Sequence, residues 1–395
     1  MISALAATAL LGPQLTRLPN GIPVIVDTGG KDLVTIQVLV RTDDLPPLEA
    51  GAAETMAHAL FGETENYSLR ELQRLAWTIG GAVAAESAGD CIRLQVTTTR
   101  NRLRPAAAFI SDALRRPAFT QVSLDEARKA AIHHRDWLNR TPPLADVFSH
   151  QATKTVGPLF VPNLTPDQAH ALHAKVVRPE RVAIAVVGDV DADTVATALG
   201  ASLGHWRGED AAPISSLLAV KDSPESAFKT SLVTVPGPHP KDAGFAAWLV
   251  ACVAVAEGKG SALNREFRVS RGAAYVLGSY LTFRKAASYC TFYVSSTNEI
   301  RNDELNGLVA SFAPDERAVD RAKAFLVGRY AVGGPTEVGR FGAFSIGHET
   351  DAARAFWLAW WDLKGAGFGR DDVFPSLVQK VSLAQVTEAT RKWPD

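Results

Sequence analysis

A chain of 395 residues with 47% apolar side chains and a formal net charge of −1 has room for roughly two to three domains, and that composition excludes a disordered protein. The near-neutral balance also excludes a global field directed at nucleic acid or at an anionic membrane. Three widely spaced cysteines, Cys91, Cys252 and Cys290, with no C-x-x-C, exclude a disulfide framework and a cysteine-based zinc site. They point to a reducing compartment and hence the cytoplasm, with the periplasm as the alternative.

The first residues, MISALAATALLGP, lack the basic start of a signal peptide and read as ordered N-terminal structure. No stretch reaches the roughly 18–20 apolar residues of a membrane span. Residues 15–28 read as a hairpin turning at Asn20-Gly21, and Leu33 to Arg41 as a half-buried strand. From Gly51 to Glu63, GAAETMAHALFGE predicts an amphipathic helix with Met56, Ala59 and Leu60 on its apolar stripe and Glu54 and His58 on one face.

Ser68-x-x-Glu71 is a capping box for a second helix that stops at Gly80-Gly81. Two strands follow, Gly81 to Ser87 and Cys91 to Thr99, then a helix from Asn101 to Arg116 ended by Pro117. Ser123-x-x-Glu126 caps the next helix, which carries His133 and His134. A further helix is expected over Leu144 to Val156. Another begins at Thr165-Pro166-Asp167-Gln168, where a cap, a proline in the first turn and a capping-box Gln coincide. His133, His170 and His173 read as ordinary surface residues on polar helix faces. RVAIAVVG, Arg181 to Gly188, reads as a buried strand, and Asp191 to Leu203 as a helix.

Residues 208–224, rich in Ala, Pro, Ser and acidic side chains, divide the chain into domains 1–207 and 225–395. The second part repeats the order of the first. A strand from Ser231 to Val235 precedes an apolar helix from Ala243 to Ala256. Gly258-Lys259-Gly260-Ser261 opens a helix ending near Arg271, and strands follow at Ala274 to Thr282 and Tyr289 to Ser295. The remainder reads as helical, with Phe356, Trp357, Trp360 and Trp361 at helical spacing as core or interface packing. The expected fold class is therefore α+β: two tandem homologous domains, each a mostly antiparallel sheet packed against helices.

With these segments in order, the chain resembles the insulinase/pitrilysin-like metallopeptidases, in particular their short two-domain bacterial and mitochondrial-processing-peptidase-like members. LPNGIPVIV (Leu18 to Val26), AAETMAHALFGET, NLTPDQAHALHAKVVRPERVAIAVVGDVDADTV and GKGSALNREFRVSRGAAYVLGS carry the resemblance over nearly the whole length. It implies a clamshell half that pairs with a second chain around a peptide chamber. In some bacterial pairs, one chain bears the H-x-x-E-H zinc helix and the other an Arg/Tyr pair.

In that register Glu54 stands at the first ligand, Ala57 at the general base and His58 at the second ligand, while His134 stands where the third ligand, a Glu, is expected. Ala57 can neither take a proton from water nor return one to a leaving amine. Arg268 and Tyr275, in FRVSRGAAY, match the Arg/Tyr spacing. Gly258, Gly260 and Ser261 match a substrate-facing loop. Gly258-x-Gly260-Ser261 lacks both phosphate-binding patterns.

The resemblance thus implies a non-catalytic subunit with no metal and no cofactor of its own. Its partner would be a zinc-bearing homologous subunit, its substrate a peptide, and neither nucleic acid nor membrane would be involved. Precursor-peptide processing such as that in pyrroloquinoline quinone biosynthesis is one such task. A catalytically inert peptide-binding or scaffold protein is the alternative, and a metalloenzyme built on Glu54, His58 and His134 a third. Ser382-x-x-Gln385 starts a helix like the one at Thr165, but no strand and helix follow it. The second domain is therefore expected to lack its last strand and helix, leaving a sheet edge uncovered.

Overall fold

The computed structural model describes residues 12–29, 32–139, 161–214, 217, 229–298, 300–333, 344 and 346–393. The helix expected over Leu144 to Val156, the start of the chain and most of the inter-domain stretch lie outside the described residues. Within that stretch, residues 208–214 have no regular structure, and Ile214 and Leu217 pack against the first core.

The first sheet has six strands in the order β1-β2-β6-β3-β5-β4. They are β1 (Gln14–Arg17), β2 (Pro23–Thr28), β3 (Leu33–Arg41), β4 (Ala82–Ser87), β5 (Cys91–Thr99) and β6 (Val182–Gly188). Four neighbouring pairs are antiparallel and one, β2 with β6, is parallel. β3 and β6 sit in the middle and are buried on both faces, which the Val/Ile/Ala run of β6 and the Val, Ile and Leu of β3, broken by the buried Thr35 and Gln37, permit. The β1–β2 hairpin turns at Asn20-Gly21, with Gly21 at φ 89°. Asn20 also reaches out of the turn and donates Nδ2 to Leu203 O (2.9 Å) and Trp206 O (3.1 Å).

On one face of this sheet lie α1 (Pro47–Ala59), α2 (Leu69–Ile79), α3 (Leu103–Arg115), α4 (Gln121–Asn139), α5 (Pro166–Val176) and α6 (Ala192–Leu203). Their termini follow local chemistry. The Ser68 and Thr165 capping boxes form as expected, and Gly80 ends α2 in the left-handed conformation. One expected cap is displaced by a turn. α4 begins at Gln121, so Ser123 lies inside its first turn, and Thr120 accepts the Ser123 N–H on its hydroxyl (3.2 Å).

The second sheet has three described strands in the order β7-β9-β8: β7 (Lys229–Gly237), β8 (Val276–Phe283) and β9 (Ser288–Ser296). The order and antiparallel sense match β3-β5-β4, the internal repeat expected from the sequence. The helices are α7 (Phe245–Ala256), α8 (Asn302–Ala310), α9 (Glu316–Val332), α10 (Asp351–Leu363), α11 (Arg370–Gln379) and α12 (Leu383–Arg391). After β9 the described chain forms helices and no strand.

α10 crosses between the domains and packs on β3 and β6, on the face away from α1. Trp357, Trp360 and Trp361 on it are fully buried, and Ile25, Leu39 and Ala185 of the first sheet join the core of the second domain. The aromatic group is thus both core and domain interface, as its spacing suggested. Among the described residues, no helix is long and apolar enough to cross a membrane.

Candidate functional site

α1 places Glu54, Ala57 and His58 inside the first domain. Pro47 in its first turn fixes the start, and Ala52, Ala53, Met56, Ala57, Ala59 and Leu60 are all buried against the sheet and α4. Ala57 is completely enclosed, Glu54 is buried and His58 is half-buried. Position 134 lies on α4, the helix packed along α1, but the His134 side chain is outside the described residues. Among the described residues, no three His, Cys, Asp or Glu side chains come together to hold a metal ion. With Ala57 in the base position, this donor set does not fit a catalytic zinc centre, which needs three ligands and an activated water.

The Arg/Tyr pair is assembled by an unusual turn. The helix after the glycine loop is not α-helical to Arg271 as expected. It is a π-helix over Asn264–Ser270, whose last bond runs from Arg271 N–H to Glu266 O (3.1 Å). Phe267 is buried, while Arg268, Val269 and Ser270 are exposed in succession. Gly272, at φ 59°, reverses the chain. Phe267 O then accepts from both Ala273 N–H (2.7 Å) and Ala274 N–H (3.1 Å), which fastens the returning chain beside the helix. Tyr275 therefore lies alongside Arg268, whose guanidinium carbon is 5.0 Å from the phenol ring centre. Tyr275 precedes β8 and is 79% exposed, so it is not a core-packed strand residue. Guanidinium and phenol form one solvent-facing unit.

The glycine loop is more tightly built than a free loop. Gly258 has φ 77°, Gly260 O accepts from Arg321 Nη2 on α9 (3.0 Å), and Ser261 is buried with its hydroxyl accepting from Asn264 N–H (3.3 Å). Ser261 serves as the helix cap, and Gly258 and Gly260 shape the turn before it.

His173 departs from expectation. It is buried rather than on the surface, with Nε2 2.8 Å from Leu114 O and its ring edge-on to Phe119. Burial pushes its pKa down to about 4 against the partial opposition of the Leu114 bond. His133 and His170 are exposed, as expected.

Sequence reasoning missed the polar seam between the domains. Lys364, just beyond α10, is fully buried between Asp43 (2.6 Å) and Asp90 (3.0 Å) of the first domain, and Trp360 Nε1 donates to Asp90 (2.9 Å). Arg354 joins Asp27 on β2 (2.9 Å) to Asp371 and Asp372. No local pattern announces the pairs that cross between domains, because Lys364 and Arg354 lie hundreds of residues from Asp43, Asp90 and Asp27 in the chain.

Two family models match the chain in tandem: insulinase (peptidase family M16) over residues 31–167 and peptidase M16 inactive domain over residues 163–324. The chain belongs to the insulinase, or M16, peptidase family. Its fold is similar to that of a peptidase M16 inactive domain structure from Pseudomonas fluorescens (TM-score 0.74, 17% identity, 98% of this chain and 95% of that one). It is also similar to a protease from Helicobacter pylori (TM-score 0.74, 14% identity, 96% of each chain). A third similar structure is the periplasmic protease PqqL from Escherichia coli (TM-score 0.64, 14% identity), where 96% of this chain covers 46% of that one. No curated protein sequence matches the chain.

Proposed function

We propose that this chain is the non-catalytic subunit of a heterodimeric zinc metallopeptidase. It closes the peptide chamber and presents Arg268 and Tyr275 to the active site of a zinc-bearing homologous chain. The observation that carries this reading is the exposed Arg268–Tyr275 unit in a protein whose α1 carries Ala57 in place of a base.

In the proposed complex, the partner supplies the metal and the base. Arg268 donates to carbonyl oxygens of the bound peptide, and the Tyr275 hydroxyl donates to the oxyanion of the tetrahedral intermediate. The Gly258–Ser261 turn holds the π-helix start and so the position of Arg268. The substrate is an unfolded or short peptide, and the precursor peptide of pyrroloquinoline quinone biosynthesis is one member of that class. The three described thiols are buried and free, which suits the cytoplasm and leaves the periplasm open.

A second reading is an inert peptide-binding or scaffold protein of the same fold. The stack itself favours it, because guanidinium and ring already satisfy part of each other. Co-expression with a homologous chain bearing an intact H-x-x-E-H helix separates the two. Loss of the pair's peptidase turnover on Arg268→Ala or Tyr275→Phe supports the proposed role, and unchanged turnover in both selects the scaffold. Stoichiometric zinc together with peptidase activity in the purified chain alone overturns both readings and favours a centre on Glu54, His58 and His134.

A further inference from the structure

Away from Arg268 and Tyr275, the helical layer of the first domain contains a cleft of about 390 Å3 between α2, α3 and the end of α6. Leu75, Ile79 and Phe109 give it an apolar lining, and Asp112, Arg115, Arg116 and Ser202 line it where α3 and α6 end. A volume of this order is typical of small-ligand sites, which combine apolar walls with a few convergent polar groups.

The charges at the polar end do not balance. Asp112 is the acidic residue in the lining. Its carboxylate already accepts from the Thr64 hydroxyl (2.5 Å) and Asn66 Nδ2 (2.5 Å) and stands 3.8 Å from Arg116 Nη1. Arg115 is left with a single bonded donor, Nη1 to Ser202 O (3.1 Å). Its Nε–H is buried, and no described residue accepts from it. Two guanidinium groups against one committed carboxylate leave one positive charge in excess. Burial and the neighbouring Arg116 charge pull Arg115 below the ordinary guanidinium range, and Asp112 opposes this only in part.

Part of this arrangement is structural, since Arg115 stands at the ends of α3 and α6, where carbonyl oxygens attract a cation. That role engages Nη1 alone. It leaves Nη2 without a described acceptor, and this end of the guanidinium, unlike the enclosed Nε, is open to donate charge-assisted bonds to a carboxylate. We propose that this cleft is a binding site for a monoanionic carboxylate carried on an apolar body, with Arg115 holding the carboxylate and the Leu75–Ile79–Phe109 lining holding the apolar part. The excess of one charge selects a monoanion over a dianionic phosphate monoester. The apolar lining selects against acetate-sized ions, which would leave it wet.

Two sources offer this chemistry, a free alkyl or aryl acid and the C-terminus of an apolar peptide. Calorimetric titration of the intact chain with 4-phenylbutyrate, its amide, N-acetyl-Leu-Phe and N-acetyl-Leu-Phe-amide tests the site. At least one acid is expected to bind ten-fold or more tightly than its amide, and Arg115→Met to remove that preference without weakening the amide. The tighter acid identifies the source, so either order supports the site. Equal binding of acids and amides, no binding by either acid, or an acid preference that survives Arg115→Met overturns it. Ala108→Phe, which fills the cleft from its exposed rim, is the second variant should Arg115→Met fail to fold. It is expected to abolish binding of both acids, and retained binding counts against the proposal.

Discussion

His170 and His173 stand one helical turn apart on α5, yet His170 is exposed and His173 is buried against Leu114 and Phe119. The pattern that separates them was present in the sequence. Ala169, Leu172, His173 and Val176 fall on one helical stripe, and all four are buried. The polar type of His173 suggests the surface, but its periodic position is the stronger signal. The consequence is measurable. His173 has a folded pKa of about 4, below its unfolded value near 6.5, so the unfolded chain binds more protons between these limits. The contribution is complete above pH ~6.5 and is lost as the pH falls towards 4, by about 3 kcal/mol in all. Urea unfolding across that range should show this loss in the wild type, and His173→Gln should flatten it by keeping a donor for Leu114 O without titrating. At Arg268 and Tyr275 the spacing was legible but not the contact. Because the stack is exposed, Tyr275→Ala should cost less than about 1 kcal/mol of stability. If Tyr275 donates to the oxyanion, Tyr275→Phe should keep the stack yet lower the co-expressed partner's kcat by about 10²–10³-fold. An unchanged kcat removes that role.

β7 shows why an edge strand need not be an open one. No described strand pairs with its outer side. Two backbone groups facing that side are nevertheless engaged. Leu232 N–H points away from β9 and donates to Asn302 Oδ1 (3.0 Å), so by alternation Thr230, Thr234 and Pro236 also turn outward. Pro236 has no N–H to offer, and its carbonyl accepts from Trp248 Nε1 (3.1 Å). α8 packs beside the strand. Together these features block addition of another strand. The strand expected over Ser231 to Val235 stopped short of Pro236, whereas β7 runs through it to Gly237. Proline is compatible with an outermost strand, so Pro236 could have been read as marking an edge rather than an end. Asn302→Ala with Pro236→Thr should reopen the edge. Light scattering at 37 °C should then show faster aggregation, while Asn302→Ala alone costs about 1 kcal/mol in urea. Equal scattering by the double variant and the wild type would sink this account. The π-helix was legible only as a helix, because the widening at Phe267 depends on Gly272 and on two N–H groups returning from beyond it.

At the scale of the whole molecule, the tandem α+β units could be read from the repeated order of strand, helix and strand pair, but their attachment could not. α10 belongs to the second domain by sequence and covers the first domain's sheet. Its tryptophans signalled burial without naming the surface they meet. The seam is fixed by Lys364, buried between Asp43 and Asp90. Burial lowers its pKa, but the attraction of Asp90 and Asp43 outweighs that and holds it raised. Its contribution is therefore complete below the ordinary lysine value near 10.4 and is lost only as the pH climbs through the raised one. Removing the cation leaves two buried carboxylates without their counter-charge. Lys364→Met should thus destabilise the protein by about 3–5 kcal/mol, more than loss of an exposed ion pair would. Adding Asp43→Asn and Asp90→Asn removes the stranded charges and should recover part of that loss, which urea unfolding of the single and triple variants measures. The same variants test whether the seam holds the domains in the arrangement that presents Arg268 and Tyr275. If it does, the single variant lowers the partner's turnover and the triple variant restores it in step with stability. Turnover that ignores the seam would mean that Lys364 does not set how Arg268 and Tyr275 are presented.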